Sequence, residues 1–344
     1  MPNTDLDKAT RELFVKGEPL DQAYMRTPII EEIKRRNQIN YTGGKYIERL
    51  IDMDTIEDQV QVYDTNDALT DEAQETLEKP QFLWRKGQLP LRYNVDAELQ
   101  NIHGDSTVQL VNLAKHLLGK GMRDLKKWWE KAMFNDGSTT GVADGNTKKW
   151  QSLVSALDHD VTYGGLTRSW SGNTNDEWQG ADPSGLNESV SSSTQGTATT
   201  LSKGRLQKWI NETSVADCME SPEDLMIVMG PQLWDKLATE MEAHSMYKEG
   251  KKQSQGITSM YFNNHEVVSV PYLHRSSTTR TWVFILNLKY WEFRIHEQRK
   301  EKLTPWVWQG DRSGGHDYWL ARIMWAGNFL CWKPKSSLWL SNVS

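Results

Sequence analysis

The amino-acid sequence predicts an α+β fold, and three features carry that prediction. Between Asp105 and Gly137 apolar residues recur at three- and four-residue spacings, the period of a long amphipathic helix. Leu225 to Met229 (LMIVM) is an unbroken apolar run followed, after Gly230-Pro231, by a helix-like stretch from Gln232 to Glu242, a strand-then-helix unit that covers one side of a sheet. Thr281 to Ile295 and Asp317 to Trp332 read as long strands, the first broken near Asn287 and the second near Gly327.

In chain order, a helix is expected around Ile29 to Arg36, with Pro28 suited to its first turn, and Gly43-Gly44 closes that section. Ile56, Val60, Val62 and Tyr63 fit a short strand, and Gln81 to Val95 alternates apolar with basic or polar residues, with Gly87 as a turn and Pro90 marking an edge or bulge. Residues 56–100 thus read as a two-stranded excursion with an acidic tip. The long helix, with Asp105 and Ser106 as N-cap residues, runs through Leu113, Leu117, Met122, Leu125, Trp129 and Met133, about 28 residues or roughly 42 Å. Gly119 and Gly121 inside it mark a place where it can bend. Residues 135–149 and 171–204 are rich in Gly, Ser, Thr and Asn and read as loops, with a short helix (QSLVSALD) between them. Leu206, Trp209 and Ile210 mark a further helix, and Asn263-Asn264 supplies hairpin turn chemistry within Tyr261 to Val268.

At 344 residues the chain has room for two domains or one large one with insertions. Forty Lys and Arg against 46 Asp and Glu give a net charge of -6, which argues against a histone-like or repressor-like binder. The absence of a long apolar run and of a charged-then-apolar start predicts a soluble, unexported protein with no membrane partner. Cys218 and Cys331 make neither a disulfide framework nor a four-ligand zinc site. The charge is uneven: from Asp52 to Glu78 there are ten acids and no Lys or Arg, followed by Lys79, Arg85, Lys86 and Arg92. Such a stretch is either a solvated loop or an arm meeting complementary patches on a neighbouring chain.

No phosphate-binding GxxxxGK[ST], GxSxG elbow, HExxH or strand-linked GxGxxG occurs. Asp158-His159-Asp160 and His103 with Asp105 are the densest titratable clusters, but adjacent residues on an extended chain point opposite ways and do not converge as ligands. No catalytic residue, cofactor or metal is therefore expected. Sixteen tryptophans stand out, eight of them in the last 63 residues. Trp306 with Trp308, and Trp319 with Trp325, would share strand faces, and such pairs serve either as stacking platforms for sugars and bases or as packing in a core or subunit seam.

The ordered series of features resembles the major capsid proteins of tailed bacteriophages, whose Hong Kong 97-type fold is shared with encapsulin nanocompartments. The resemblance rests on an arm, an extended loop and a long helix in that order, on FNDGS at Phe134 to Ser138, on YGGLTRSW at Tyr163 to Trp170, on the strand-helix unit at Leu225 to Glu242, and on MYFNNHEVVSVPYL, VFILNLKYWEF and WAGNFLCWKP. It implies an N-terminal arm (1–55), an extended loop (56–100), a peripheral domain (101–204) with a spine helix at about 104–135, an axial domain (205–285), and a return to the peripheral domain (286–344). The family-like motif residues are Tyr163, Gly164, Gly165 and Arg168.

What the resemblance implies functionally is a subunit that self-assembles as hexamers and pentamers into an icosahedral virion shell around double-stranded DNA. Intersubunit contacts would come from Asp64, Asp67, Asp71, Glu72, Lys79, Trp84, Arg85, Lys86 and Arg92 of the loop. The implied partners are further copies of the chain, a separate scaffolding protein, a portal protein, a decoration protein, and packaged DNA held without base-specific contact. Location in the virion and assembly in the host cytoplasm follow. Two alternatives stand beside it: an encapsulin-like compartment, and a tryptophan-rich glycan- or nucleic-acid-binding protein.

Overall fold

The computed structural model describes residues 27–53, 77–96, 113–134, 150–158, 162–166, 200–211, 225–243, 259–274, 279–310 and 317–341, together with isolated positions between them. Its first element, α1 (Pro28–Arg35), carries Pro at the first turn, where the missing N–H is not needed, and buries Ile29, Ile30 and Ile33 at helical spacing. Strand β1 (Ile39–Thr42) follows, then β2 (Tyr46–Glu48) and β3 (Ile51–Asp52). These last two pair antiparallel with β5 (Gln81–Leu83) and β4 (Leu77–Glu78) respectively, so the chain leaves and returns along a two-stranded stem.

This stem corrects the expected strand at 56–63. Val62 and Tyr63 lie outside any strand, and the paired outgoing limb sits at 46–52, ten residues earlier. The return limb differs as well. Residues Arg85–Asn94 form β6, which pairs not with the outgoing limb but, over ten residues, with the long strand β14 (Tyr318–Cys331). Pro90 is accommodated because β14 is the only partner of β6 among the described residues, leaving β6 at a sheet edge.

Gly87, expected as a turn, lies inside this strand opposite Trp325. A Cβ there would fall within the indole, 2.8 Å from Nε1 and nearer still to Cε2 and Cζ2, so glycine is required for the ring to lie flat on the sheet. The expected break near Gly327 is also absent, because β14 continues through it. Gly327 is instead where β14 passes from β6 to β11 (Trp291–His296), and a Cβ there would lie 2.6 Å from the Arg294 carbonyl oxygen. With β12 (Lys302–Leu303) and β13 (Val307–Trp308), these strands and β1 make a six-stranded sheet organised around β14.

The long helix α2 (Leu113–Met133) lies on that sheet. Gly121, Leu125, Trp129 and Met133, four residues apart, form its buried edge, and Gly121 lets the helix come down onto Leu89, Leu91 and Ile323. Neither glycine interrupts the helix. Its 21 residues give about 31 Å, and the expected start near 104 falls outside the described residues. Trp129, Trp150 and Trp325 close the space between helix and sheet, with Trp150 and Trp325 ring centroids 4.7 Å apart and edge-on, and Phe293 4.9 Å from both Trp129 and Trp150.

A second sheet, in the order β15-β10-β7-β9-β8, is built from β7 (Leu225–Met229), β8 (Ser259–Phe262), β9 (His265–Ser269), β10 (Val283–Asn287) and β15 (Leu338–Leu340). The hairpin turn between β8 and β9 has Asn263 and Asn264 at φ 48° and 67°, the left-handed pair that asparagine tolerates and that matches strand twist. Helices α4 (Lys203–Asn211) and α5 (Pro231–Ala243) follow the short α3 (Leu153–Leu157), and the first two cover one face of this sheet with Leu206, Trp209, Leu233 and Leu237.

The sheet separates two cores. Met226, Val228, Phe284 and Leu286 point into the core under α2, while Leu225, Ile227, Val283 and Ile285 point into the one under α4 and α5. Burial on both faces is why LMIVM and VFIL read as unbroken apolar runs without alternation.

Candidate functional site

The described residues offer no group of three or more His, Cys, Asp or Glu able to hold a metal, and no helix among them is long and apolar enough to cross a membrane. Cys331 is buried. Asp158 follows α3 as its cap, while His103, Asp105, His159, Asp160 and Cys218 lie outside the described residues. What the structure does present is an arm and the root that anchors it.

The root is built from the YGG motif. Tyr163 is fully buried, and its hydroxyl accepts from the Cys331 backbone N–H at 2.8 Å and lies 3.4 Å from the Cys331 carbonyl as a donor. Its own carbonyl accepts from Trp178 Nε1 at 2.8 Å. Gly164 and Gly165 both have positive φ, 65° and 80°, which turns the chain back so that Leu166 pairs with Tyr163. At Gly164 a Cβ would meet Pro80 at 2.7 Å, and the Gly164 carbonyl accepts from the Gln81 N–H at 2.8 Å. Phe82 packs edge-on against Tyr163, centroids 4.8 Å apart, and against Trp332. The motif therefore clamps the returning limb of the arm to the end of β14. Arg168 lies outside the described residues.

Beyond the root the described residues of the arm are bare. Leu50, Val60, Val62, Tyr63 and Leu77 are all exposed, Val62 completely (101 %). Asp64 is exposed beside them; Asp67, Asp71 and Glu72 lie outside the described residues. On the return limb Lys79 forms an ion pair with Glu48 at 2.9 Å across the stem. Trp84 donates its indole N–H to the Gly44 carbonyl at 3.0 Å, Arg92 lies over the Tyr318 ring, and Lys86 is exposed on β6. Arg85 was expected to face a neighbouring copy, but it is 1 % exposed, enclosed by its own chain next to the β14 crossover. The alternation of β6 explains this burial: residues one apart on a strand point opposite ways, so only Lys86 of that pair faces solvent.

Sequence reasoning missed Glu130. In an amphipathic helix a glutamate reads as a surface residue, yet this one is fully buried, and its two carboxyl oxygens accept from the Ile29 and Ile30 backbone N–H groups at 3.3 and 3.2 Å. It thus supplies the cap that Thr27 does not, tying α1 to α2. Burial pushes its pKa up to about 8, against the opposing pull of the two N–H donors. Glu292 is another buried acid: it accepts from Trp332 Nε1, from Arg294 Nε at 2.5 Å and from Asn40 Nδ2 at 2.7 Å, joining β1 and β11 to the residue that follows β14. No signal in a single sequence marks either acid as buried.

The tryptophan question resolves in favour of packing. Trp129, Trp150, Trp178, Trp209, Trp282, Trp291, Trp325 and Trp332 are buried, and Trp319 is half-buried on β14. Trp128 and Trp308 are exceptions among the described residues, 46 % and 41 % exposed; Trp308 Nε1 donates to Asp317 at 2.8 Å, while Trp306 packs on Tyr93.

No protein-family profile matches the chain, and no curated protein matches its sequence. Its structure, however, is similar to a chain of the capsid asymmetric unit of cyanophage A-1(L), with a TM-score of 0.65 at 14 % identity over 95 % of this chain and 96 % of that one. A chain of the mature capsid of bacteriophage PhiM1 matches with a TM-score of 0.56 at 6 % identity over 95 % and 90 %, and one from Gordonia phage Cozz with 0.53 at 10 % over 95 % and 89 %. Each of these matches covers 95 % of this chain, and the chain has the Hong Kong 97-type capsid fold.

Proposed function

We propose that this protein is a major capsid protein, the repeating subunit of an icosahedral virion shell assembled from its hexamers and pentamers around packaged double-stranded DNA. The observation that carries this reading is the bare arm. Five apolar residues stand in water between Leu50 and Leu77, on a stem held rigidly by its root, and burying a side chain of this size is worth roughly 1.5–3 kcal/mol. A second copy covering the arm gains that energy at every interface of a ring, and the acidic stretch around it sets orientation.

Within this reading residues 1–55 form the N-terminal arm and 56–100 the extended loop, whose return strand β6 belongs to the six-stranded sheet. The peripheral domain is α2 with the six-stranded sheet, and the axial domain, 205–285, is completed by β15. A separate scaffolding protein, a portal and a decoration protein complete the assembly, which takes place in the host cytoplasm. The test is electron microscopy and sedimentation of the purified protein, with Val60→Ser/Val62→Ser/Tyr63→Ser beside it. Rings or shells from the unaltered protein, lost in a triple variant that keeps its circular dichroism, are expected. A strictly monomeric unaltered protein at high concentration, even with scaffolding protein supplied, refutes the reading, and copurification of an enzyme cargo would favour the compartment alternative.

A further inference from the structure

The chain is acidic overall, yet α2 is not. Its 21 residues carry six Lys and Arg and two acids, one of which, Glu130, is buried beneath α1. At 100° per residue His116, Lys120 and Arg123 fall on the side opposite the buried edge of Gly121, Leu125 and Trp129, Lys115 and Lys126 lie on the flank beside them, and Lys115, Lys120 and Arg123 are exposed. No large apolar residue interrupts them, because Trp128, 46 % exposed, lies beyond Asp124 on the far margin.

Gly119 is the second observation. It sits at the centre of this face, three or four residues from Lys115, His116 and Arg123, in helical conformation and not at positive φ. A Cβ built on it meets nothing within 4 Å. A helix-interior glycine costs about 1 kcal/mol relative to alanine, and at Gly121 close packing on Leu91 accounts for that cost, whereas no contact among the described residues accounts for it at Gly119. What Gly119 provides is a notch through which an outside backbone can approach the helix between cations. At the C-terminal end Lys34 of α1 meets Lys126, and burial together with that like charge lowers the Lys34 pKa, against the opposing fields of Glu301 and Glu31; an anion between the two ammonium groups relieves the repulsion.

We propose that the cationic face of α2, centred on the Gly119 notch, is the surface on which this protein holds the phosphate backbone of double-stranded nucleic acid. A linear array of charge without an apolar anchor suits phosphates, which bind by counterion release, and is poor for a protein partner, whose binding energy concentrates in buried aromatic or Arg anchors. The net charge of the chain does not oppose this, since its acidic excess lies in the Asp52–Glu78 stretch. The inference deepens the shell reading by assigning the surface that meets the packaged duplex, and it rests on that reading for its biological setting alone.

The test is the affinity of the purified full-length protein for a fluorescent 30-base-pair duplex between 50 and 200 mM salt. Engagement of three or four phosphates gives a slope of about -3 to -4 in log K against log salt. Lys115→Glu/Lys120→Glu/Arg123→Glu should weaken binding at least tenfold and flatten that slope, while Lys289→Glu/Arg299→Glu/Lys302→Glu, with the same change in net charge, should leave both nearly unaltered. Gly119→Leu should raise the melting temperature and weaken the duplex, a combination that misfolding cannot produce. Equal losses from both triple variants, undiminished binding by Gly119→Leu, or tighter binding of a peptide spanning residues 52–78 than of the duplex would each overturn the proposal. Electron microscopy of the same variants separates the two readings: shells that form but lose duplex binding support both, whereas duplex binding by a protein that forms no shell leaves this surface standing without the shell.

Discussion

Replacing Gly87 with alanine tests the packing between the long helix and the six-stranded sheet, and its sign is diagnostic. On conformational grounds alone, alanine in a strand interior is better than glycine by roughly 0.5–1 kcal/mol. The structure demands the opposite, because the new Cβ would lie inside the Trp325 ring, 2.8 Å from its Nε1. That ring cannot step aside: Trp150 stands edge-on to it at 4.7 Å, Trp128 is 5.4 Å away and Trp129 6.1 Å. Overpacking of this kind costs about 1–3 kcal/mol, and three surrounding indoles place the expected loss near 3. At about 2 °C per kcal/mol for a chain of this size, the melting temperature should fall by about 6 °C in differential scanning calorimetry. Trp325→Leu alone should cost about 3 kcal/mol by leaving a cavity, but adding Gly87→Ala to it should cost almost nothing, since the methyl group enters vacated space. A stabilised Gly87→Ala protein, or additive losses in the double variant, would refute the account of why β6 carries glycine there.

Three further outcomes follow from other parts of the fold. Because the Glu130 carboxyl is held up to about 8 in the folded state against about 4.5 unfolded, its contribution is fully present below pH 4.5 and lost as pH rises through 8; urea midpoints should decline from pH 5 to 8, and Glu130→Gln should flatten that decline by an amount on the order of a few kcal/mol, whereas parallel profiles would count against a buried carboxyl. Tyr163→Phe strips the buried Cys331 N–H of its acceptor and should cost about 1–3 kcal/mol in equilibrium unfolding, with Gly164→Ala at least as damaging because it strains a positive φ and strikes Pro80; an unchanged unfolding curve for either removes the motif's role as the arm's clamp. Trp308→Ala should leave folding within about 0.5 kcal/mol, given the exposure of that side chain, and any effect on shell yield then reports a subunit seam; a binding loss toward sugars or single-stranded nucleic acid with shells intact would revive the stacking alternative.

The α+β class, the long helix, the strand-helix unit at Leu225 and the asparagine hairpin were legible because each is a local pattern: periodicity, an unbroken apolar run, or turn chemistry that a few neighbouring residues specify. The order of those patterns also sufficed to point to a capsid-type fold. Tertiary structure alone decided the rest. Strand pairing is non-local, so nothing near Arg85 to Asn94 announces that its partner is Tyr318 to Gly327 rather than the opposite limb of the arm. For the same reason Gly87 looked like a turn when it is a slot for an indole 238 residues away, and Gly327 looked like a break when it is a crossover between two partner strands. Burial of a charge is likewise a property of what surrounds it. Arg85 and Glu130 are charged residues just as the exposed Lys86 and Arg123 are, and only the packing of strand on strand and helix on helix takes two of the four out of water.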